Sequence, residues 1–99
     1  MRIAVMPVLK TRKVDRALVG KFGFEKTEKH HLVYRLWLED RLVARTYISH
    51  GQSELSAFHV SQMARQMRLQ TAEFVDAVNC PLTREDYHHI LRQRVLGPD

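Results

Sequence analysis

The stretch EKHHLVYRLWLEDRLVARTYISHG, residues 28–51, holds three of the six histidines in the chain. His30 and His31 open it, His50 closes it, and arginines and aromatics recur between them. A neutral imidazole beside an RNA 2′-hydroxyl is a competent general base, and a nearby arginine stabilises charge developing on the phosphoryl group. Arginine and aromatic side chains also grip phosphates and stack on bases. That chemistry requires the chain to bring a histidine, the arginines and the aromatics onto one surface.

Alternation supplies the elements that would do so. In residues 30–38, His30, Leu32, Tyr34, Leu36 and Leu38 share one strand face, and His31, Val33, Arg35 and Trp37 share the other. Residues 41–49 set Leu42, Ala44, Thr46 and Ile48 against Arg41, Val43, Arg45, Tyr47 and Ser49. Burying both apolar sets demands matched faces across a hairpin. A three-residue loop, Glu39-Asp40-Arg41, meets the demand by setting Leu38 opposite Leu42; a two-residue loop sets Leu38 opposite Arg41 and mixes the faces. Trp37 then faces Val43, Arg35 faces Arg45, Val33 faces Tyr47 and His31 faces Ser49. The outer face is predicted to be basic and aromatic, with His31 in it. His30 points the other way and is expected half-buried at the sheet rim. His50 follows the second strand beside Gly51, within reach of the sheet edge.

The flanking segments read as helices. Thr11 is a candidate N-cap for a short helix over residues 12–21, with Val14, Ala17 and Leu18 on one face. Its charged side carries Arg12, Lys13, Arg16 and Lys21. Gly20 and Gly23 break it before a first strand at FGFEKT. Ser56 can cap residues 57–69, where Val60, Met63, Ala64 and Met67 form the apolar stripe. Thr71 can cap residues 72–79, with Phe74 and Val78 one turn apart. Thr83 and Asp86 resemble a capping box for residues 84–95, where Tyr87, Ile90, Leu91 and Arg94 share a face and Gly97-Pro98 follows. Residues 1–9 read as a short strand or loose arm, because Pro7 limits regular structure. The order α-β-β-β-α-α-α predicts an α+β fold: a three-stranded antiparallel sheet with helices packed on one face.

Ninety-nine residues, 44% hydrophobic and 27% charged, suit a single globular domain. No apolar run approaches the ~20 residues a membrane helix needs, and the N-terminus lacks a signal peptide's apolar core. With a lone Cys80 before Pro81, read as a small structural hydrophobe, these features point to the cytoplasm. Net charge is +5 and the pI about 9.8. Residues 1–68 hold 13 Lys/Arg against 6 Asp/Glu, and residues 69–99 hold 3 against 5. The polyanion-binding character therefore belongs to the part containing the histidine stretch.

Other chemistries find little footing. His59, His88 and His89 lack metal-ligand spacing, and the chain carries no H-E-x-x-H, P-loop, G-x-G-x-x-G or G-x-S-x-G pattern. No metal or cofactor is expected. Met63 and Met67 read as core.

The ordered pieces Gly23-Phe24, His31-Leu32-Val33-Tyr34 and VARTYISHGQSEL running into SAFHVSQMARQMRLQTAEF resemble the HicA family of small toxin ribonucleases over residues 10–75. That resemblance implies a double-stranded-RNA-binding-domain-like (dsRBD-like) fold, cleavage of mRNA by a histidine at the start of the second strand, and neutralisation by a HicB-type antitoxin. Aligned through His-x-x-aromatic, the family histidine falls on His31; shifted by one, it falls on His30. The family's Gly-Ser before the histidine is replaced by Lys29-His30, the hairpin turn lacks its usual glycine, and residues 76–99 form a helical extension beyond the family pattern.

The leading expectation is an RNA-binding, HicA-like mRNA interferase working without metal. His31 would be the general acid/base, with His30 and His50 as further candidates. Lys29, Arg35, Trp37, Arg41, Arg45, Tyr47, Lys13 and Arg16 would contact RNA. The rival expectation is a binding module on the same fold that docks nucleic acid or protein without cutting, and a third is a sheet edge used for oligomerisation.

Overall fold

Val14, Ala17 and Leu18 turn inward together, as their spacing on a helix requires, and anchor the first helix of the chain. The structure is a computed structural model that describes residues 9–79 and 82–96. Cys80, the Gly97-Pro98 stop and the arm before Leu9 lie outside these residues. Strand β1 (Leu9–Lys10) leads into α1 (Thr11–Arg16), which runs on through a π-helical turn (Ala17–Lys21). Strands β2 (Glu25–Glu28), β3 (His31–Leu38) and β4 (Arg41–Ser49) follow, then a short β5 (Glu54–Leu55). Helices α2 (Ala57–Gln66), α3 (Thr71–Val78) and α4 (Arg84–Leu91) complete the described chain, with α4 widening over Arg92–Leu96. The class is α+β. A three-stranded antiparallel sheet is ordered β2-β3-β4, and β1 pairs separately with β5.

The hairpin differs from expectation in an instructive way. Its turn has two residues, Glu39 and Asp40, both left-handed at φ 52° and 64°, as a type I′ turn requires. Leu38 does lie opposite Arg41, but a β-bulge prevents the faces from mixing. Ala44 stands opposite Leu36 and Leu42 opposite Trp37, so Val43 is the extra residue. Beyond the bulge the expected pairs hold: Arg35 with Arg45, Val33 with Tyr47, and His31 with Ser49. Val43 is fully buried and Leu42 is 42% exposed, the reverse of the predicted assignment. Strict alternation has no place for one inserted residue, and burying the valine is what fixes its position.

The inner sheet face presents Tyr34, Leu36, Val43, Ala44, Thr46 and Ile48 to the helices. From α1, Asp15 accepts a 2.6 Å hydrogen bond from the Tyr34 hydroxyl; from α2, Gln66 accepts one of 2.7 Å from Thr46. Tyr87 of α4 is buried with its ring edge-on to Phe22, 5.0 Å between centroids, and its hydroxyl donates to the Met67 carbonyl. The C-terminal helices thus share the core of the first part.

Two caps move. Lys10, without a side-chain capping bond, occupies the N-cap of α1 in place of Thr11, whose backbone N–H donates to the Ser53 carbonyl at 3.0 Å. Gln70 occupies the N-cap of α3 in place of Thr71, its N–H bound by Glu73. Ser56 caps α2, and Thr83 with Asp86 forms the predicted box on α4. At its far end, the π-helical turn leaves carbonyls that α4 satisfies. The Arg84 guanidinium donates to Lys21, and His88 Nε2–H donates to Phe22.

Candidate nucleic-acid interface

All the helices tied to the sheet by these bonds lie on its inner side, which leaves the outer face uncovered among the described residues. The pairing places Glu25 and Thr27 of β2 beside Arg35 and Val33 of β3, which in turn adjoin Arg45 and Tyr47 of β4. His31 and Ser49 close one end, and Trp37 and Leu42 the other. Trp37 is 50% exposed, a large ring on the outer face beside the bulge. His31 is exposed with its ring 5.4 Å from that of Tyr47, tilted 40°. The surface therefore brings together an imidazole, a phenol, an indole and two guanidiniums against a single carboxylate, Glu25. Such a face can stack bases and neutralise phosphates.

His50 leaves β4 and turns back across the sheet end. Its Nε2–H donates 2.9 Å to the Lys29 carbonyl, which fixes the tautomer and leaves the Nδ1 lone pair as the second site of exchange. This bond ties the β2–β3 turn, with Lys29 and His30, to the end of β4. Three histidines and Lys29 therefore gather at one end of the sheet.

Several candidates sit elsewhere than expected. His30 lies in the β2–β3 turn and is exposed rather than half-buried, because the strand begins one residue later at His31. Arg41 opposes Leu38 and so belongs to the helix side of the sheet end, exposed beyond the core; the bulge takes it off the outer face. Lys13 and Arg16 lie on α1, in the layer behind the sheet, and are not joined to the outer face.

The sequence reading missed a polar cluster beneath the sheet. Asp15 accepts from Tyr34 and pairs with Lys26 at 2.6 Å. Burial disfavours the Asp15 charge, but the hydrogen bonds from Lys26 and Tyr34 outweigh it and hold the carboxyl below its usual range. Burial first, and then the Asp15 carboxylate, push the Tyr34 hydroxyl far up. The available signal was Tyr34 itself, since a tyrosine on a buried face needs a partner for its hydroxyl. Leu42 is the other omission. Among the described residues, no three His, Cys, Asp or Glu side chains converge to hold a metal ion. No helix of the described chain is long and apolar enough to cross a membrane. No family model, curated protein or solved structure matches this chain.

Proposed function

We propose that the open sheet face binds single-stranded RNA and that the histidine end of this face cleaves it, in the manner of a HicA-like mRNA interferase. The observation that carries the reading is the outer face, where His31, Tyr47, Trp37, Arg35 and Arg45 lie together with the helices on the opposite side. The succession of α1, the three-stranded sheet and α2, with the short β5 before α2, is compatible with a dsRBD-like domain and supports the reading. In the proposed reaction His31 takes the proton of a 2′-hydroxyl, whose oxygen attacks the adjacent phosphorus. The 5′-oxygen leaves with a proton from Nδ1 of His50 in its imidazolium form, giving a 2′,3′-cyclic phosphate and a free 5′-hydroxyl. Arg45 and Arg35 neutralise the phosphate charge. A HicB-type antitoxin would act by covering this face in the cytoplasm.

A cellular mRNA with single-stranded regions, incubated with the protein in EDTA, tests the proposal. Cleavage that the chelator leaves intact and His31→Ala abolishes is the expected result. Salt-sensitive binding without cleavage by the wild type would replace the nuclease with a binding module. One feature favours a protein partner as the second reading: Trp37 and Leu42 oppose each other as an exposed apolar pair. Binding through that pair would be insensitive to salt, whereas phosphate contacts weaken steeply as salt rises.

A further inference from the structure

The loop that carries His50 continues directly into the wall of a cavity. Between α1 and residues Gln52 and Ser53 lies an open cleft of about 830 Å³, a volume in the range of small-molecule and nucleotide sites. Arg12, Lys13 and Arg16 line it from the helix. No ion pair engages any of these three among the described residues. The one acidic lining residue, Asp15, is already neutralised by Lys26.

Two further atoms of the cleft-lining residues are unaccounted for. Among the described residues, the Thr11 hydroxyl and the Gln52 side-chain oxygen are buried without a hydrogen-bond partner, an arrangement that costs free energy unless something else satisfies it. The Gln52 side-chain amide is bonded to His59 Nδ1 at 3.0 Å. Thr11 is held by its backbone bond to Ser53. A nucleotide chain offers phosphates to these cations and bases to the rest of the cleft.

We infer that this cleft is a nucleotide subsite that extends the RNA path beyond the sheet, receiving the nucleotides that follow the histidine end. The inference rests on the RNA reading given above. His50 and Gln52 are separated by one residue, so the chain between them spans at most about 7 Å. A strand leaving the His31–His50 end of the sheet therefore meets the cleft within a nucleotide or two. Lys13 and Arg16, which do not share the sheet face, acquire a place on the same path.

The experiment compares a trinucleotide with an RNA oligomer of about eight nucleotides, using fluorescence anisotropy on His31→Ala so that neither is cut. The expected result is tighter binding of the longer oligomer. Combining Arg12→Ala with Arg16→Ala should remove about tenfold of that gain and lower the salt slope by about one per lost phosphate contact, with trinucleotide binding unchanged. Equal binding of the two lengths, or a gain that survives the arginine substitutions, overturns the subsite and leaves the sheet reading standing. Failure of both lengths to bind overturns the sheet reading and the subsite with it.

Discussion

The Tyr34 hydroxyl donates a 2.6 Å hydrogen bond to the Asp15 carboxylate, joining the central strand to the first helix. Lys26 binds the same carboxylate oxygen from the edge strand, so one acidic group holds three elements together. Tyr34→Phe keeps the buried ring and removes only the hydroxyl. It should lower unfolding free energy by about 1.5–3 kcal/mol in urea denaturation, the range for a bond to a charged acceptor. No loss would mean that Asp15 finds an equal partner elsewhere.

The same cluster makes stability depend on acid. Asp15 has a folded pKa below its unfolded one, so its contribution is full above the unfolded value near 4 and disappears as pH falls through the folded value. Glu73 adds to this in the same direction, lowered first by the Arg94 guanidinium and then by the Gln70 N–H. Denaturation series from pH 6 to about pH 2 should show falling stability in the wild type. Asp15→Asn, already less stable at pH 6, should show a shallower fall.

The bulge predicts opposite fates for two neighbours. Val43→Asp places a charge in the core and should cost more than about 3 kcal/mol. Leu42→Asp, on the outer face, should stay within about 0.5 kcal/mol. The strictly alternating register requires the reverse, and thermal melts of the two variants decide between them.

The hairpin turn stores strain that a single substitution can release. Asp40 sits at φ 64° without the freedom of glycine, a conformation that costs an L-residue about 1–2 kcal/mol. Asp40→Gly should raise stability by about 0.5–1 kcal/mol once the added chain entropy is counted. Glu39, also left-handed, is better left alone because Arg92 is bonded to it at 3.2 Å.

Much of this architecture was legible because burial on strands and helices has a period. The stripe Val60, Met63, Ala64 and Met67 is buried as read, and so are Phe74, Val78, Tyr87 and Leu91. The outer positions of His31, Arg35, Trp37, Arg45 and Tyr47 also followed from alternation, because a period of two fixes every face once one is known. What defeated the reading was local. A bulge adds a residue with no mark in the pattern, which misplaced Leu42, Val43 and Arg41. Cap positions slid by one at Thr11 and Thr71, where neighbouring residues compete for the same place. The cleft was invisible for a different reason, since its walls are far apart in the chain.

That separation governs when the cleft exists. Leu9 pairs with Leu55 and Lys10 with Glu54, so the helix wall is synthesised first and its counterpart more than forty residues later. Emerging from the ribosome, α1 has neither its sheet nor the Ser53 carbonyl to hold its first N–H. Closing this pair is among the costlier contacts in entropy, and it falls after the β3–β4 hairpin has had time to form on its own. A nascent chain stopped short of residue 55 can still tie the basic helix to the sheet through Asp15, but it lacks the β5 partner of β1. Completion of the short β1–β5 ladder is what would close the far wall of the cleft against that helix.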